Sequence, residues 1–466
     1  MQSNHTDVAV IGAGNIGIAV AWYLKQQQPA LHVTLIDREQ PMSLTSAVSG
    51  ENYRNWWPHP VMKRFMDRSI DLLSQLDSQY NNEIITSRSG YVLASRDADA
   101  RDLLDNLHQT FKQPNSIRTH NSADSYRQSL LTDRNGAEVL QNASVIQQCF
   151  PGYDAQLQTI VHIRRGGSIS AYALGSHMLR EFREAGGRLR TARVQHIDYR
   201  KGSYELDIRA SSAQDKTINA ASIVNAAGPF AQELSSCLGI ELPIKNVYQQ
   251  KIAFADTLHA VDRKQPFTID LDPQLIDWTD DERQAIQQDP ILARFTETMP
   301  GAIHCRPDGG EAGNRIKLGW AYNEAATDPA EQPHLRNHLQ EHLQEQLQEQ
   351  LQEHFPEIVL RGAARLNPRL RQYYQGFPRD FTHYGGYYTM TEENWPLIGN
   401  TTLPGYTIAT AMSGFGSMAA CAAGELAALY ITGGTLPDYA DALSLQRSNN
   451  TGLMQEINEL NSKGIL

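Results

Sequence analysis

Short apolar runs alternate with glycine-rich turns and helical patterns at both ends of the chain. Residues 7–39 read DVAVIGAGNIGIAVAWYLKQQQPALHVTLIDRE, where the run 8–11 is typical of a buried parallel strand. A helix through Leu24 and a second strand ending at Asp37 follow. Residues 405–434, GYTIATAMSGFGSMAACAAGELAALYITGG, repeat the order of strand, turn and long helix, with Gly433 and Gly434 ending the helix. One α/β fold therefore takes elements from both ends of the chain.

The middle of the chain mixes helical and strand patterns. Helices are predicted for 62–82 and 96–113, and the segment GGSISAYALGSHMLREFREAGGRLRTARVQHIDYR predicts a helix closed by two glycines, then a strand. ASIVNAAGPFAQEL predicts a buried strand, a turn and a helix. From about 240 to 370 the pattern is strand-rich and irregular, which indicates a second domain inserted into the first.

Strict alternation marks the stretch RIKLGW, residues 315–320. Arg315, Lys317 and Gly319 fall on one side and Ile316, Leu318 and Trp320 on the other, the period of a half-buried strand. The pattern alone leaves open whether Lys317 faces water or a ligand.

A tandem repeat, LQEHLQEQLQEQLQEH, occupies residues 339–354. Leucines at 335, 339, 343, 347 and 351, followed by Phe355, form one slightly drifting stripe on a helix. A coiled-coil seam needs a period of about 3.5. The spacing of four therefore favours a surface helix packed on its own domain. An oligomer formed through 335–355 is the alternative.

Composition and charge argue against several classes of function. The chain has 466 residues, 41% of them hydrophobic, and a formal net charge of -11 without a cluster of basic residues, which argues against binding to nucleic acid. No apolar run is long enough to span a membrane, and the first residues lack the features of a signal peptide. The four cysteines are scattered, which predicts reduced thiols, no metal site and a cytoplasmic protein.

The first turn carries the pattern G-x-G-x-x-G at Gly12, Gly14 and Gly17. It follows a strand, opens a helix and has an acidic residue, Asp37, twenty positions beyond the last glycine. This context is what dinucleotide binding requires, because the glycines allow a tight turn, close approach of the backbone to the pyrophosphate and close helix–strand packing. Asp37 can accept hydrogen bonds from the ribose.

Four segments, in this order, resemble the FAD-dependent D-amino-acid oxidase superfamily, nearest its sarcosine oxidase and glycine oxidase members. They are the N-terminal motif, IVNAAGPFAQEL at 223–234, GGYYTMTEENWPLIG at 385–399 and SGFGSMAACAAGELAAL at 413–429. The resemblance implies an α/β fold with a glutathione-reductase-type, Rossmann-like FAD-binding domain (1–85, 150–238 and 372–466). It also implies an inserted α+β substrate domain on an antiparallel or mixed sheet (86–149 and 239–371).

FAD is the implied cofactor. The position of the flavin-tethering cysteine of many sarcosine oxidases is Gly386 here, and TSAVSGENYRNWW lacks the tethering histidine of the dehydrogenase relatives, so non-covalent binding is predicted. The implied FAD contacts are Gly12, Gly14, Asn15, Ile16, Gly17, Asp37, Arg38, Ser46, Ser49, Gly50, Val194, Ala226, Ala227, Gly228, Gly414, Phe415, Gly416, Ser417 and Met418.

The implied activity is oxidation of an amine or amino acid. Hydride passes from the carbon bearing the amine to flavin N5, the imine hydrolyses, and oxygen reoxidises the flavin to give hydrogen peroxide. RIKLGWA resembles the family segment whose lysine promotes the oxygen reaction, which assigns that role to Lys317. The resemblance adds Arg54 and Tyr388 as catalytic residues. A dehydrogenase that uses a quinone or carrier, and a flavoprotein assembly factor without turnover, remain alternatives.

The usual carboxylate clamp of the family is at least partly missing. Met418 replaces its lysine, and LPIKNVYQQ places Tyr248 on its arginine and Gln250 on its glutamine. The substrate is then either an amine or amino acid held by Arg54 and Tyr388, or a bulkier, more aromatic compound near Tyr53, Trp56 and Trp57. The substrate-binding residues that follow are Tyr53, Trp56, Tyr248, Gln250, Trp320 and Tyr388.

Overall fold

The computed structural model describes residues 5–132, 134–209, 216–310, 312–329 and 343–460, with side chains from 353 onward in the last range. The strands are β1 His5–Ile11, β2 Val33–Asp37, β3 Asn52–Arg54, β4 Ile85–Ser87, β5 Tyr91–Ser95, β6 Ile117–Thr119, β7 Ala137–Leu140, β8 Thr159–Ile163, β9 Gly166–Ile169, β10 Arg188–Thr191, β11 Arg193–Arg200, β12 Ser203–Arg209, β13 Lys216–Asn225, β14 Lys245–Ala255, β15 Phe267–Asp270, β16 Ile303–Asp308, β17 Arg315–Trp320, β18 Phe381–Met390, β19 Leu397–Asn400 and β20 Tyr406–Thr410.

Helices occur between these strands along the chain. They are α1 Asn15–Gln27, α2 Pro60–Gln79, α3 Arg101–Thr110, α4 Ala123–Leu130, α5 Ala143–Cys149, α6 Ala171–Glu184, α7 Ala231–Ser236, α8 Asp280–Gln288, α9 Leu343–Leu366, α10 Gly416–Thr432, α11 Ala440–Leu443 and α12 Thr451–Asn458. No helix in these ranges is long and apolar enough to cross a membrane.

The first sheet has the order β10-β2-β1-β13-β12-β11, with β20 paired to β13 and β19 to β20. The pairs β1–β2, β1–β13 and β13–β20 are parallel, so their carboxyl ends meet at one edge. Helices α1 and α10 pack closely against each other, since a Cβ at Gly424 would lie 2.6 Å from Ala19 Cβ. The two ends of the chain thus build one Rossmann-like unit, which confirms the predicted fold class.

The second sheet runs β18-β14-β17-β16-β15-β5-β8-β7-β6 and mixes parallel and antiparallel pairs. One face carries the apolar side chains of β14 and β17 and packs against α9 through Phe355. The other face presents Lys251, Lys317 and Tyr388, and it faces the first unit. A small third sheet, β3-β9-β4, adjoins the second sheet, because Gly90 N donates to the Gly166 carbonyl oxygen at 3.0 Å.

Two strands of the second sheet come from segments assigned above to the FAD-binding domain. β8 pairs with β5 and β7, and β18 pairs with β14 along ten residues of each strand. The chain therefore returns to the first unit later than the predicted boundaries at 150 and 372, after β8 and after β18. The division into domains stays a prediction.

Most predicted elements are present with shifted ends. The helix expected from 96 starts at Arg101, so that prediction of its start is wrong. The reason is that Ser95 Oγ and Arg96 N donate to the Asp272 carboxylate at 2.6 and 2.7 Å, which holds this stretch as a loop. The part of the repeat from Leu343 onward forms the first turns of α9, whose Phe355 is buried. The part before 343 lies outside the described residues.

Candidate functional site

A cavity of about 550 Å³ opens at the carboxyl edge of the first sheet and extends to β14 and β18. Its size suits a cofactor or other small ligand. All but three of the residues predicted to contact FAD line it. These are Gly12, Gly14, Asn15, Ile16, Asp37, Arg38, Ser46, Ser49, Gly50, Val194, Ala226, Ala227, Gly228, Gly414, Gly416 and Ser417.

The glycine-rich turn is built for close backbone approach. Gly12 has a φ of 102°, and a Cβ there would lie 2.3 Å from the Ala226 carbonyl oxygen. A Cβ at Gly17 would lie 1.8 Å from the Gly12 carbonyl oxygen, so Gly17 packs under the turn and does not line the cavity. Both positions exclude every side chain, as the dinucleotide motif requires.

Asp37 stands at the end of β2, on the cavity wall. Its carboxylate accepts hydrogen bonds from Ala13 N at 2.5 Å and Glu39 N at 3.0 Å. Burial raises the pKa of this carboxyl above its usual value, against the lowering effect of the two backbone donors. The aspartate is therefore oriented by the backbone beside the glycine-rich turn.

Helices α1 and α10 both begin at the cavity, so both positive dipole ends point toward it. A hydrogen-bond chain links them, from Asn15 Nδ2 to Ser417 Oγ at 3.2 Å and from Ser417 Oγ to Ser49 Oγ at 2.9 Å. Among the described atoms, Asn15 Oδ1 and Thr45 Oγ1 are buried without a hydrogen-bond partner, and both residues line the cavity. Donors, dipoles and unsatisfied polar atoms of this kind fit a bound FAD.

Residues 42–50, which we call the cavity segment, form one wall. Eight of its residues line the cavity, and the sequence pattern had identified only three of them. The eight are Met42, Ser43, Leu44, Thr45, Ser46, Val48, Ser49 and Gly50. Val48 also lies close to Gly386, where a Cβ would be 2.6 Å from Val48 Cγ2.

Lys251 on β14 brings a cation to the cavity. The residue is 7% exposed, and its Nζ lies 3.2 Å from the Tyr388 hydroxyl oxygen. Among the residues that the structure describes, no carboxylate forms an ion pair with it. Lys251 and Tyr388 also line a small extension of the cavity of about 20 Å³, together with Glu51, Asn52, Phe267, His304, Phe415 and Met418.

Lys317 lies on the same face of the second sheet but lines neither cavity. Its Nζ donates to Glu51 Oε2 at 2.9 Å and lies 3.3 Å from Asp308 Oδ1. Arg306 completes this Glu51 cluster, with Nη1 3.0 Å from Asp308 Oδ1. Burial raises the pKa of Asp308, but the charges of Arg306 and Lys317 outweigh it and hold that pKa below its usual value.

The other residues predicted from sequence are divided between two regions. Arg54 is buried, with its guanidinium 4.5 Å from the Trp57 ring and 4.6 Å from the Tyr91 ring, and these two rings pack in turn on Phe415 and Phe267 of the small extension. Burial lowers the pKa of Arg54. Tyr53 and Trp56 are buried nearby, in the same core.

Tyr248, Gln250 and Trp320 lie elsewhere. They occupy alternate positions on β14 and β17, on the face that turns away from the cavity. The Trp320 indole N–H donates to the Pro300 carbonyl oxygen at 3.1 Å, and Gln250 Oε1 lies 2.7 Å from His383 Nε2. The structure therefore does not bring these three together with Tyr388.

His304 contributes an uncharged imidazole to the small extension. Its Nδ1 lies 3.3 Å from the Ala302 carbonyl oxygen, which favours the proton on Nδ1. Burial, reinforced by the charge of Lys251, lowers the pKa of His304 to about 3. The side chain is therefore neutral at physiological pH and acts as a hydrogen-bonding group.

The lowered pKa of His304 predicts acid sensitivity. The unfolded chain takes up a proton below pH 6.5, whereas the folded chain does so only near 3, so His304 makes the protein less stable as pH falls through this window. We expect His304→Asn to flatten the fall in the free energy of unfolding between neutral pH and about pH 5. Urea unfolding measures this, with the exposed His108→Asn as control. Parallel losses in wild type and His304→Asn would refute it.

Sequence patterns missed Lys251, Asn52, His304 and most of the cavity segment. Alternation correctly placed Lys317 opposite Leu318, but the register of neighbouring strands decides which lysine reaches the cavity. Ala253 pairs with Lys317 and Lys251 with Gly319. The two lysines therefore lie on the same face of the sheet, on neighbouring strands, and are offset by two residues along the strands. The sequence signal that could have identified Lys251 is its charge at the start of the otherwise apolar run KIAF.

The chain matches the family model described as FAD dependent oxidoreductase (DAO) over residues 7–429. No curated protein sequence matches it significantly. Among solved structures it is similar to L-proline dehydrogenase from P. horikoshii, with 17% identity and a TM-score of 0.67 over 96% of this chain and 98% of that one. Glycine oxidase from Geobacillus kaustophilus gives 15% and 0.64 over 96% and 99%. Iminodiacetate oxidase from Chelativorans sp. BNC1 gives 18% and 0.61 over 94% and 98%.

Proposed function

Because the chain belongs to the DAO family of FAD-dependent oxidoreductases, we propose that it oxidises the C–N bond of an amino acid to an imine, with oxygen as the final acceptor and hydrogen peroxide as the product. Bound FAD supplies the two-electron acceptor that receives the hydride. The observation that carries the choice of an amino acid is the buried Lys251 ammonium at the cavity.

A buried cation is costly unless an anion compensates it. Lys251 has the Tyr388 hydroxyl beside it and no ion pair with a carboxylate of the described residues. A substrate carboxylate would supply the missing charge and accept hydrogen bonds from both groups. Asn52 Oδ1, buried without a hydrogen-bond partner in the described part of the chain, is an acceptor for the substrate amine.

The residues that would hold FAD are those of the cavity wall. The turn at Gly12 and Gly14 and the start of α1 suit the phosphates, and Asp37 suits the ribose. The turn 413–416 before α10 suits the pyrimidine edge of the flavin, where the positive end of the helix dipole would stabilise the negative charge of the reduced form.

The Arg54 guanidinium packs on the rings of Tyr91 and Trp57. Its proposed role is therefore indirect, through the position of these two aromatic side chains. Oligomeric state and cytoplasmic location stay predictions.

Oxygen as the acceptor rests on the resemblance around Lys317, because a fixed cation favours the anion that forms when oxygen takes an electron. One observation favours a dehydrogenase instead: the charge of Lys317 is already paired with Glu51 and Asp308. The peroxide formed per flavin reduced, compared with reduction of an electron-accepting dye, distinguishes the two activities.

The proposed function is tested by mixing the holoenzyme anaerobically with a panel of amino acids, simple amines and aromatic amines. Bleaching of the flavin absorbance by amino acids supports the proposal. Bleaching by simple amines alone would support an oxidoreductase but contradict an amino acid as its substrate. The absence of bleaching with every compound would contradict oxidation of C–N bonds altogether.

Non-covalent FAD is a separate prediction. Gly386 offers no side chain for a tether, and neither cavity is lined by any of the cysteines, Cys149, Cys237, Cys305 and Cys421. We therefore expect acid precipitation of the holoenzyme to release all flavin into the supernatant. Yellow colour retained in the washed pellet would show a covalent bond.

A further inference from the structure

Two anchors hold the cavity segment. At its start, Met42 N donates to the Ala13 carbonyl oxygen at 2.9 Å, and Ser46 Oγ accepts from Asn15 N at 3.0 Å. These bonds tie the segment to the glycine-rich turn. At its end, the Glu51 cluster ties it to the second sheet, because Arg306 Nη2 donates to the Gly50 carbonyl oxygen at 3.2 Å.

Glu51 adopts a conformation that needs support. Its φ is 58°, in the left-handed region that is unfavourable for a residue with a Cβ. Its backbone oxygen accepts from Ile169 N at 2.9 Å, Oε1 accepts from Ala171 N at 3.3 Å, and Oε2 accepts from Lys317 Nζ at 2.9 Å. The side chain is thus held on both carboxylate oxygens, which keeps the turn after Gly50 in place.

The Glu51 cluster is balanced in charge and largely shielded from water. Two cations, Arg306 and Lys317, face two carboxylates, Glu51 and Asp308, and the Arg306 side chain is only 6% exposed. Charge-assisted hydrogen bonds in such surroundings are stronger than those at an open surface. The cluster therefore makes a firm connection between the second sheet and the wall of the FAD cavity.

We propose that Lys317 and Arg306 are positioning residues that fasten Gly50 and Glu51 and thereby hold the cavity segment against bound FAD, which raises the affinity for the cofactor. This role concerns retention of FAD and does not depend on the substrate. It differs from the oxygen role assigned to Lys317 by resemblance, since it acts through Glu51 and not through the reacting atoms.

The test measures FAD dissociation from the holoenzymes of wild type, Lys317→Met, Glu51→Gln and the double variant. Flavin fluorescence in the ultrafiltrate after dilution gives the dissociation constant. Each single variant should raise it about tenfold, as expected for loss of a charge-assisted hydrogen bond. The double variant should raise the dissociation constant little further, because both substitutions break the same contact.

Lys317→Arg keeps the positive charge and should retain most of the affinity of wild type. Lys245→Met, an exposed lysine on β14, should change nothing.

Thermal unfolding of the apoproteins and the holoenzymes separates positioning from general stability. Removal of one partner from these shielded ion pairs lowers the apoprotein midpoint as well, and the proposal expects the midpoint of the holoenzyme to fall further than that of the apoprotein. The proposal would be overturned by unchanged FAD affinity in Lys317→Met and Glu51→Gln, or by apoprotein midpoints that fall as far as those of the holoenzymes. Normal FAD affinity combined with slow reoxidation by oxygen in Lys317→Met would overturn it in favour of the oxygen role. If no amino acid reduces the flavin, these affinities still decide the proposal.

Discussion

Replacing Lys251 by Met is expected to raise the amino acid concentration for half-maximal flavin reduction by roughly 10- to 100-fold, as follows from losing a hydrogen bond to a charged group worth about 1.5–3 kcal/mol. The side chain lines the cavity beside the Tyr388 hydroxyl, whereas it lies outside the Glu51 cluster. FAD content should therefore stay at the wild-type level while binding of the substrate carboxylate is lost.

Two further variants make this expectation specific. Lys251→Arg keeps the positive charge and should recover much of the affinity, although the guanidinium is larger than the ammonium. Lys245→Met removes an exposed lysine from the same strand and should behave as wild type. Stopped-flow reduction under anaerobic conditions gives the half-maximal concentration for each protein. An unchanged value in Lys251→Met, at full FAD content, would remove Lys251 from the substrate site.

Gly12→Ala should abolish FAD binding and destabilise the protein. The φ of 102° is strained for alanine, and the added Cβ would lie 2.3 Å from the Ala226 carbonyl oxygen and 2.9 Å from Ala227 Cα. Backbone strain of this kind costs about 1–3 kcal/mol before the clash is counted. Relief of the clash must separate β1 from the end of β13, which also displaces Ala226 and Ala227 from the cavity wall.

Gly202→Ala is the matched control for Gly12→Ala. Gly202 has a φ of 81°, but nothing lies within 4 Å of the place its Cβ would take. This variant should show the backbone strain alone and keep its FAD. Urea unfolding and flavin content of the purified proteins measure both effects. Full flavin content in Gly12→Ala would show that the turn does not approach the cofactor as closely as the dinucleotide motif requires.

Local patterns in the sequence were enough to predict the Rossmann-like unit. The turn at Gly12, Gly14 and Gly17 and the turn before α10 are short-range signals, because the φ values and the close packing that they encode involve neighbours in the chain and adjacent strands. Asp37 and Ser417, which the same patterns predict as FAD contacts, both line the cavity.

The substrate side could not be predicted in the same way. Whether Lys251 or Lys317 reaches the cavity depends on the register of β14 with β17 and on where Glu51 lies, a residue 266 positions from Lys317 in the chain. Alternation placed Trp320 with the apolar face of β17, yet the resemblance made it a substrate residue. A motif shared with distant relatives identifies the strand on which a residue lies. The contacts of its side chain depend on groups far away in the chain, such as Glu51 for Lys317.

The proposed function rests on recognition of a substrate carboxylate by Lys251. Its most direct test is an anaerobic titration of the wild-type holoenzyme with the best amino acid of the panel and with the corresponding amide, which keeps the amine and the side chain but removes the negative charge. The amide should need at least about a tenfold higher concentration to bleach the flavin. Equal bleaching by the two compounds would contradict it.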